Sequence, residues 1–390
     1  MLSNFAQKAR CESGCKRQSD ARSHPDPQGV VRQFSSTPEI MAEITLLPFS
    51  AHRRFGAIFD HAASAEGSLA WFQSLAESTL DHGEDAVVAV AFDDAVAKAA
   101  LPLVRNGAQM RALTAPYTTL YAPGLGDAKW ARFLGVGAQQ YVRGSLRLDA
   151  LDPADPGTAA YLEGVKSSGL MAAQYCHFVN YYEGITNFEE YWNARPTRLK
   201  ATVRRKLSNA RVQHVDFCCH RNAFSEAVAN YDEIYRASWK AAEPHPRFIA
   251  NMVEKLGPDG LVRLGIMTLS GKPVAAQIWL VRRRKGTIFK LAHRQDAVEY
   301  SPGTLLTHWM ISTLVRDEAL DEIDFGRGAD DYKRDWLKES RVRTGLVASS
   351  WKTAEGLRNI ASGVLPTQMS AMLRRGLDHV RRIYGFSRSK

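Results

Sequence analysis

The second half of the chain carries an order of helix and strand patterns that restricts the fold more than any other feature of the sequence. Apolar residues first recur at helical spacing in two segments, then form three short strand-like segments separated by tight turns, and a further helix and strand follow. In chain order these segments are 224–238, 248–256, 261–269, 274–281, 287–293, 304–317 and 322–325. The pattern predicts a three-strand antiparallel meander with helices on its faces, which is an α/β fold of the α+β kind.

The loop before the last of these helices reads Tyr300-Ser301-Pro302-Gly303. Serine is a residue type that caps helices and proline suits the first turn, so we expect the helix to begin here with Ser301 as its cap. The free N–H groups and positive dipole end of a helix start can hold a pyrophosphate without a lysine. Most Pro-Gly loops only turn the chain, so both interpretations stay open at this point.

The first half has a similar but less regular pattern, and 390 residues exceed what one compact core usually holds. Strands are predicted at 42–47, 86–92 and 99–104, helices at 68–80 and 158–168, and an ordered loop at 116–126. We therefore predict a disordered leader at 1–40, an N-terminal domain at 41–190, a C-terminal domain at 191–355 and a basic amphipathic helix at 356–390. Initiation at Met41 is an alternative explanation of the leader.

Charge and cysteine content narrow the partners and the compartment. The net charge of +10 and the pI near 9.4 favour an anionic partner: nucleic acid, a membrane surface or a phosphorylated cofactor. The five cysteines have neither the number nor the spacing of a disulfide framework or a zinc ribbon, so we expect a cytoplasmic protein without a metal. Apolar stretches such as 274–281 are far shorter than the ~20 residues that cross a bilayer.

Three motifs in the second half resemble, in order and spacing, those of the GNAT acyltransferase superfamily. The resemblance covers about 191–352 and is specifically to the Fem-like, double-GNAT subgroup associated with cellulose and exopolysaccharide biosynthesis. The motifs are Gly271-Lys272-Pro273-Val274-Ala275-Ala276, Tyr300-Ser301-Pro302-Gly303-Thr304-Leu305-Leu306 and Ile323-Asp324-Phe325-Gly326-Arg327-Gly328-Ala329-Asp330-Asp331-Tyr332-Lys333-Arg334-Asp335-Trp336. The resemblance implies two tandem GNAT-like domains, of which the first is degenerate. Each domain would be a mixed, mostly antiparallel twisted sheet flanked by helices.

The resemblance also implies a cofactor site. In the family, the loop before the helix holds the pyrophosphate of acetyl-CoA or a longer acyl-CoA, which here implies Ser301, Gly303, Thr304 and Leu305. The family's compact signature, in which Arg or Gln leads two glycines, is absent in that form. Fem relatives that use aminoacyl-tRNA share the fold, so that donor is an alternative.

Candidate catalytic and substrate-binding residues surround the end of the last strand. Lys333 stands where Fem-like enzymes carry an aromatic-lysine pair and is expected to neutralise the thioester oxyanion or an acidic acceptor. The candidate bases are His293 and Asp331, and Tyr332 is the candidate acid. Substrate binding is assigned to Asp324, Arg327 and Trp336.

Each of these assignments has a structural alternative. Asp324 and Arg327 can form a buried pair that holds the turn. Lys333 can form a salt bridge with Asp330 or Asp331. His293 can be an ordinary strand-end imidazole. His308, on the helix face toward the core, is a weaker candidate still.

The predicted activity is transfer of an acyl group to the nitrogen or oxygen of a sugar, amino sugar or aminolipid in envelope glycan or lipid biosynthesis. The segment 367–384 predicts an amphipathic helix with arginines beside its apolar face, which either packs on the body or contacts the inner face of the membrane. The alternative function is an aminoacyl-tRNA-dependent transferase or a tRNA-binding protein, suggested by a long basic helix predicted from 195 to 211 and the turn at 282–285. No DNA-reading motif accompanies these basic runs, so specific DNA binding is not expected.

Overall fold

The computed structural model describes residues 42–212, 214–328, 330–370 and 372. The predicted leader at 1–40 and most of the predicted helix at 367–384 lie outside these residues. The strands are β1 Ala42–Pro48, β2 Asp85–Asp93, β3 Val96–Asn106, β4 Gln109–Ala112, β5 Ser145–Leu151, β6 Met171–Gly184, β7 Val215–His220, β8 Val262–Leu269, β9 Lys272–Arg282, β10 Lys285–His293, β11 Glu322–Arg327 and β12 Glu339–Ser349. The helices are α1 Leu69–Ser78, α2 Ala128–Val136, α3 Pro156–Lys166, α4 Phe188–Asn193, α5 Thr197–Val212, α6 Ser225–Arg236, α7 Phe248–Leu256, α8 Pro302–Glu318, α9 Lys333–Trp336 and α10 Ala354–Asn359.

All twelve strands belong to one sheet, in the order β1-β2-β3-β4-β5-β12-β6-β11-β10-β9-β8-β7. Among the described residues its ladders are antiparallel except at β4–β5 and β10–β11. The predicted fold class, a mixed and mostly antiparallel sheet flanked by helices, is confirmed. The domain boundaries at 190 and 355 stay predictions.

Strand β12 ties the two halves of the chain together. It follows every other strand in sequence, yet it lies between β5 and β6 and pairs antiparallel with both. Strand β12 was not predicted, because its alternating polar residues, including Arg341 and Arg343, mask the strand pattern. The short strands β4 and β5 and helix α2 were missed as well.

The two faces of the sheet bury different helices. On β9, Ile278 and Leu280 pack in a core with α6 and α7, whereas Trp279 and Val281 pack in a second core with α8. Successive residues of a strand point to opposite faces, so α8 lies on one face and α6 and α7 lie on the other. Residues of α8 therefore reach the sheet from one face, and residues of α6, α7 and the loop between them reach it from the other.

The basic helix predicted at 195–211 is α5, which begins directly after Pro196, and the residues that lead into it form the separate helix α4. Arg195 lies just before Pro196, outside α5, and is only 3% exposed. Its guanidinium donates to both oxygens of Glu183 at 2.9 and 2.6 Å. The described chain contains no helix that is both long and apolar enough to cross a membrane.

Candidate active site

The parallel strands β10 and β11 separate soon after they meet. Their ladder pairs only Lys285–Glu322, Gly286–Ile323 and Thr287–Asp324. Farther along, the tip of the 116–126 loop enters from the first half of the chain. A Cβ on Gly326, whose φ is +61°, would lie 3.0 Å from Thr119 Cγ2, so a larger residue does not fit there. The gap between the strands opens into a cavity.

Two cavities lie at this opening, with volumes of about 410 and 610 Å³, and Thr119 lines both of them. The larger one, of 610 Å³, is called the transfer cavity below. Eight predicted site residues line it, namely His293, Ser301, Gly303, Thr304, Arg327, Tyr332, Lys333 and Trp336. The helix start and the turn after β11 therefore face one another across the same space.

Three predicted site residues do not line the transfer cavity. Leu305 is buried in the core beneath α8. Asp331 has a side chain that is 95% exposed, and its only ion-pair partner among the described residues is Arg334, at 3.8 Å. Asp324 lines the smaller cavity of 410 Å³ instead.

The start of α8 leaves backbone donors free. The N–H of Ser301 donates to the Val298 carbonyl at 3.0 Å, and that of Leu305 donates to the Ser301 carbonyl at 3.1 Å. The N–H groups of Gly303 and Thr304 have no acceptor among the described residues, so these two amides are available to an anion.

Ser301 does not cap the helix with its side chain, so that part of the prediction is wrong. Its φ of 54° and ψ of 48° are left-handed, whereas a capping residue is normally extended. The hydroxyl makes no capping hydrogen bond. The helix start therefore remains without a side-chain acceptor.

A buried chain of hydrogen bonds fixes the first turn of α8 to β9. Trp279 Nε1 donates to Gln277 Oε1 at 2.9 Å, and Gln277 Nε2 donates to Thr307 Oγ1 at 2.5 Å. The Thr307 hydroxyl donates to the Gly303 carbonyl at 2.8 Å. Because each of these side chains is at least nine-tenths buried, the position of the Gly303 peptide is set from within the core.

Lys333 is 3% exposed and holds the turn after β11. Its Nζ donates to the carbonyls of Arg327 and Gly328 at 2.6 and 3.2 Å and lies 3.4 Å from Asp330. Burial lowers the pKa of Lys333, and the neighbouring carboxylate of Asp330 opposes that shift. The alternative predicted for this lysine, an ion pair with Asp330, is present.

Tyr332 stands at the rim of the cavity, with about half of its surface exposed. Desolvation, aided by the negative charge of Asp330, raises the pKa of Tyr332 to about 12. Its hydroxyl is therefore protonated at neutral pH. It is available to donate a hydrogen bond or a proton.

His293 lies at the start of α8 rather than at the turn. A Cβ on Gly303 would lie 3.2 Å from His293 Cδ2, and the imidazole packs on Trp239 with ring centroids 4.3 Å apart. Burial lowers the pKa of His293, and the charge of Lys240 lowers it further. The imidazole is neutral at physiological pH.

The predicted alternative of a buried Asp324–Arg327 pair is wrong. The Asp324 carboxylate accepts from Arg341 Nη2 at 2.5 Å, from Asn180 Nδ2 at 2.6 Å and from the Gly326 N–H at 2.6 Å. Arg327 turns away from it, toward the Pro116 carbonyl at 3.5 Å and His177 Nε2 at 3.3 Å. The alternation of side chains along β11 puts these two residues in different surroundings.

His308 is packed between aromatic rings, 4.4 Å from Trp192 and 5.4 Å from Phe188 by ring centroids. Burial lowers its pKa to about 4, so this imidazole is uncharged. It does not line the transfer cavity. The weak expectation for His308 as a catalytic group has no geometric support.

Several lining residues were not predicted, because they come from distant segments. Tyr117 and Thr119 belong to the first half, and Lys240 belongs to the loop between α6 and α7. Lys290 lies 3.9 Å above the Tyr117 ring and donates to both oxygens of Glu243. Only the tertiary fold brings these residues together.

The described residues include no cluster of three or more His, Cys, Asp or Glu that could hold a metal.

Residues 197–334 match the family model described as an acetyltransferase (GNAT) domain. This range contains α5 to α8, the β7–β11 strands and, apart from Trp336, the transfer-cavity residues from the second half. The chain therefore contains a GNAT acetyltransferase domain and is an acyltransferase. No curated protein matches the chain in sequence.

Solved structures show that the similarity of fold extends beyond this domain. The crystal structure of FemX has 11% sequence identity, covers 78% of this chain and 96% of its own, and gives a TM-score of 0.53. The C-terminal domain of a putative lysylphosphatidylglycerol synthetase from Agrobacterium fabrum has 13% identity, covers 80% and 96%, and gives 0.50. At such identities the likeness is one of fold alone.

Proposed function

We propose that the protein transfers an acyl group from acetyl-CoA or a longer acyl-CoA to the amine or hydroxyl of a sugar, amino sugar or aminolipid. The observation that carries the proposal is the open start of α8. The free amides of Gly303 and Thr304 and the helix dipole supply a diphosphate site at one end of the transfer cavity. The opening between β10 and β11 supplies a path for the acyl-pantetheine arm.

This arrangement separates the roles of the predicted residues. If the diphosphate rests on Gly303, then His293 beside it contacts the phosphate end of the donor, a full pantetheine length from the thioester. Asp331 points to solvent. Asp330 is the carboxylate that lines the cavity among the described residues, and we assign it the role of general base.

The chemical step then uses the groups of the turn after β11. The acceptor nitrogen or oxygen attacks the thioester carbon and gives its proton to Asp330. The carbon–sulfur bond breaks as the tetrahedral intermediate collapses, and Tyr332 protonates the departing thiolate. Lys333 already directs its N–H groups at Arg327, Gly328 and Asp330, so its role is to position this turn.

Beyond the described contacts, we propose that the acceptor belongs to envelope glycan or lipid biosynthesis and that the protein works in the cytoplasm. Peripheral attachment at the inner face of the membrane, through the 367–384 segment, is part of the same proposal. The alternative donor is aminoacyl-tRNA. It is tested together with CoA.

Thermal-shift titrations with acetyl-CoA, palmitoyl-CoA and tRNA distinguish the donors. We expect both acyl-CoA compounds to raise Tm at micromolar concentrations, because each offers a diphosphate and a pantetheine arm to the cavity. We expect tRNA to leave Tm unchanged. Stabilisation by tRNA without any effect of either thioester would replace this function with the aminoacyl-tRNA alternative. A control with desulfo-CoA shows whether the donor stabilises the protein without its sulfur and acyl group.

A further inference from the structure

The transfer cavity has an excess of positive charge. Four cationic side chains line it, Lys240, Lys290, Arg327 and Lys333, against the single carboxylate of Asp330. Two of the four are already paired: Lys290 with Glu243 at 2.8 Å and Lys333 with Asp330 at 3.4 Å. Lys240 and Arg327 have no carboxylate partner within ion-pair distance among the described residues.

Lys240 is held in place without being neutralised. Its Nζ lies 5.7 Å from the Trp239 ring centroid and 6.0 Å from that of Tyr235. Trp239 in turn packs on His293. Burial, and next the charge of Lys290, lower the pKa of Lys240 to about 8. A half-buried ammonium group that lacks a counter-ion is stabilised when a ligand supplies one.

Arg327 is the second cation without a carboxylate. Its guanidinium contacts the Pro116 carbonyl, His177 Nε2 and the face of the Phe178 ring at 5.0 Å. The residue is exposed and stands at the end of β11, where the strands have already separated. It retains N–H donors for an oxyanion.

Lys240 and the diphosphate site belong to different elements of the fold. The diphosphate site is at the start of α8, which packs on the face of the sheet that carries Trp279 and Val281. Lys240 comes from the loop between α6 and α7, and these helices pack on the opposite face. Lys240 and the diphosphate site therefore reach the transfer cavity from different faces of the sheet. Lys240 also lies close enough to Asp330 and Lys333 to feel their charges, which places it on the side where the acceptor must lie.

We infer that the acceptor is an acid whose phosphate or carboxylate is bound by Lys240 and Arg327. This inference rests on the proposed function, since it describes the second substrate of the same reaction. The oxyanion holds the acceptor on the α6–α7 side while its amine or hydroxyl reaches the thioester near Asp330 and Tyr332.

The test compares ligands that differ in one anionic group. Calorimetric titrations of the CoA-saturated protein use glucosamine 6-phosphate against glucosamine, and glucuronate against glucose. We expect the anionic member of at least one pair to bind about tenfold more tightly. A preference in the phosphate pair alone identifies a phosphorylated acceptor, and one in the glucuronate pair alone identifies a carboxylate.

Two variants and one control locate the anion. In Lys240→Met and in Arg327→Met the preference should fall below about threefold, while the Kd for CoA stays within about twofold of wild type. The control Lys272→Met removes a surface lysine on the β9 turn, paired with Asp296, and should retain the full preference. These side chains have no buried partner to lose, so the variants should fold.

Several results would overturn the inference. The first is equal affinity for both members of each pair, which includes the case in which neither member binds. The second is a preference for the anionic member that survives in either variant. The third is a loss of CoA affinity in the variants. Failure of the wild-type protein to bind CoA at all is a different result. It contradicts the proposed function before the acceptor pairs are compared.

Discussion

Within the described part of the chain, each half contains one parallel strand pair joined through a helix, and the two pairs differ in what they leave open. In the first half β4 and β5 are joined through α2, and in the second half β10 and β11 are joined through α8. In both, the ladder covers three residue pairs. The same topology thus offers two potential anion sites.

The two helix starts are chemically opposite. The Asp127 carboxylate accepts hydrogen bonds from the N–H groups of Lys129 and Trp130 at 2.8 and 3.4 Å, so α2 begins on a built-in anion. At α8 the corresponding acceptor is missing and two amides remain free. Beyond the first ladder, the buried Tyr121 donates its N–H to the Ala150 carbonyl of β5 at 2.8 Å. The residues at each helix start, rather than the strand order, therefore decide which half leaves its helix amides free.

The largest effect is expected from giving α8 the charge that α2 already has. Ser301→Asp places a carboxylate beside the Gly303 and Thr304 amides, where repulsion of a bound diphosphate costs about 3 kcal/mol, or about a hundredfold in Kd. Calorimetric titration with acetyl-CoA measures the change. Ser301→Asn is the matched control, because asparagine has the same shape, tolerates the left-handed φ and adds no charge. Equal Kd values for the two variants would remove the diphosphate from this helix start.

The next effect concerns the turn after β11. Lys333→Met leaves two carbonyls and Asp330 without their donor, so we expect a loss of about 2 kcal/mol in the free energy of unfolding together with most of the turnover. Urea unfolding and release of free CoA thiol report the two quantities. The exposed Asp331→Asn should match wild type in both. An unchanged stability of Lys333→Met would show that Lys333 is free for the thioester, as the sequence analysis proposed.

How much of this site the sequence predicts follows from how local each feature is. The helix start at Ser301-Pro302-Gly303 and the turn after β11 are contiguous segments, and their meeting in one cavity follows from a parallel strand pair. The cap was mispredicted because Ser301 adopts a left-handed backbone conformation that composition does not reveal. Lys240, Tyr117 and Thr119 were unpredictable, since each reaches the cavity only through packing between distant segments.

The fold shows the same limit. Meander strands with apolar runs were predicted within a few residues, because burial on both faces leaves a continuous hydrophobic signal. Strand β12 was missed because its charged side chains find partners only in the folded protein, as Arg343 does with Asp152 and Arg341 with Asp324. A strand inserted between β5 and β6 has no local sequence signal for its position.

A smaller effect should follow from loosening α8 without adding charge. Thr307→Val removes the donor to the Gly303 carbonyl and the acceptor for Gln277, so we expect a loss of about 1.5 kcal/mol in stability and a few-fold weaker acetyl-CoA binding. Thr202→Val is the matched control, because its hydroxyl makes the same bond to the carbonyl four residues earlier, at 2.9 Å, on the exposed surface of α5. A drop in stability with unchanged acetyl-CoA affinity would mean that the Gly303 peptide does not need this anchor.

The smallest effect tests whether the missing cap is sufficient to make a site. Asp127→Ala frees the Lys129 and Trp130 amides of α2 and should lower stability by about 1 kcal/mol, seen as a fall of about 2 °C in Tm. Each chain should still bind one molecule of acetyl-CoA, because Tyr121 occupies the position beside β5 where a second acetyl-CoA would have to lie. Asp127→Asn retains a capping oxygen and should preserve Tm. A second bound acetyl-CoA in Asp127→Ala would show that the cap alone separates the two halves, and that the first opening is as competent as the second.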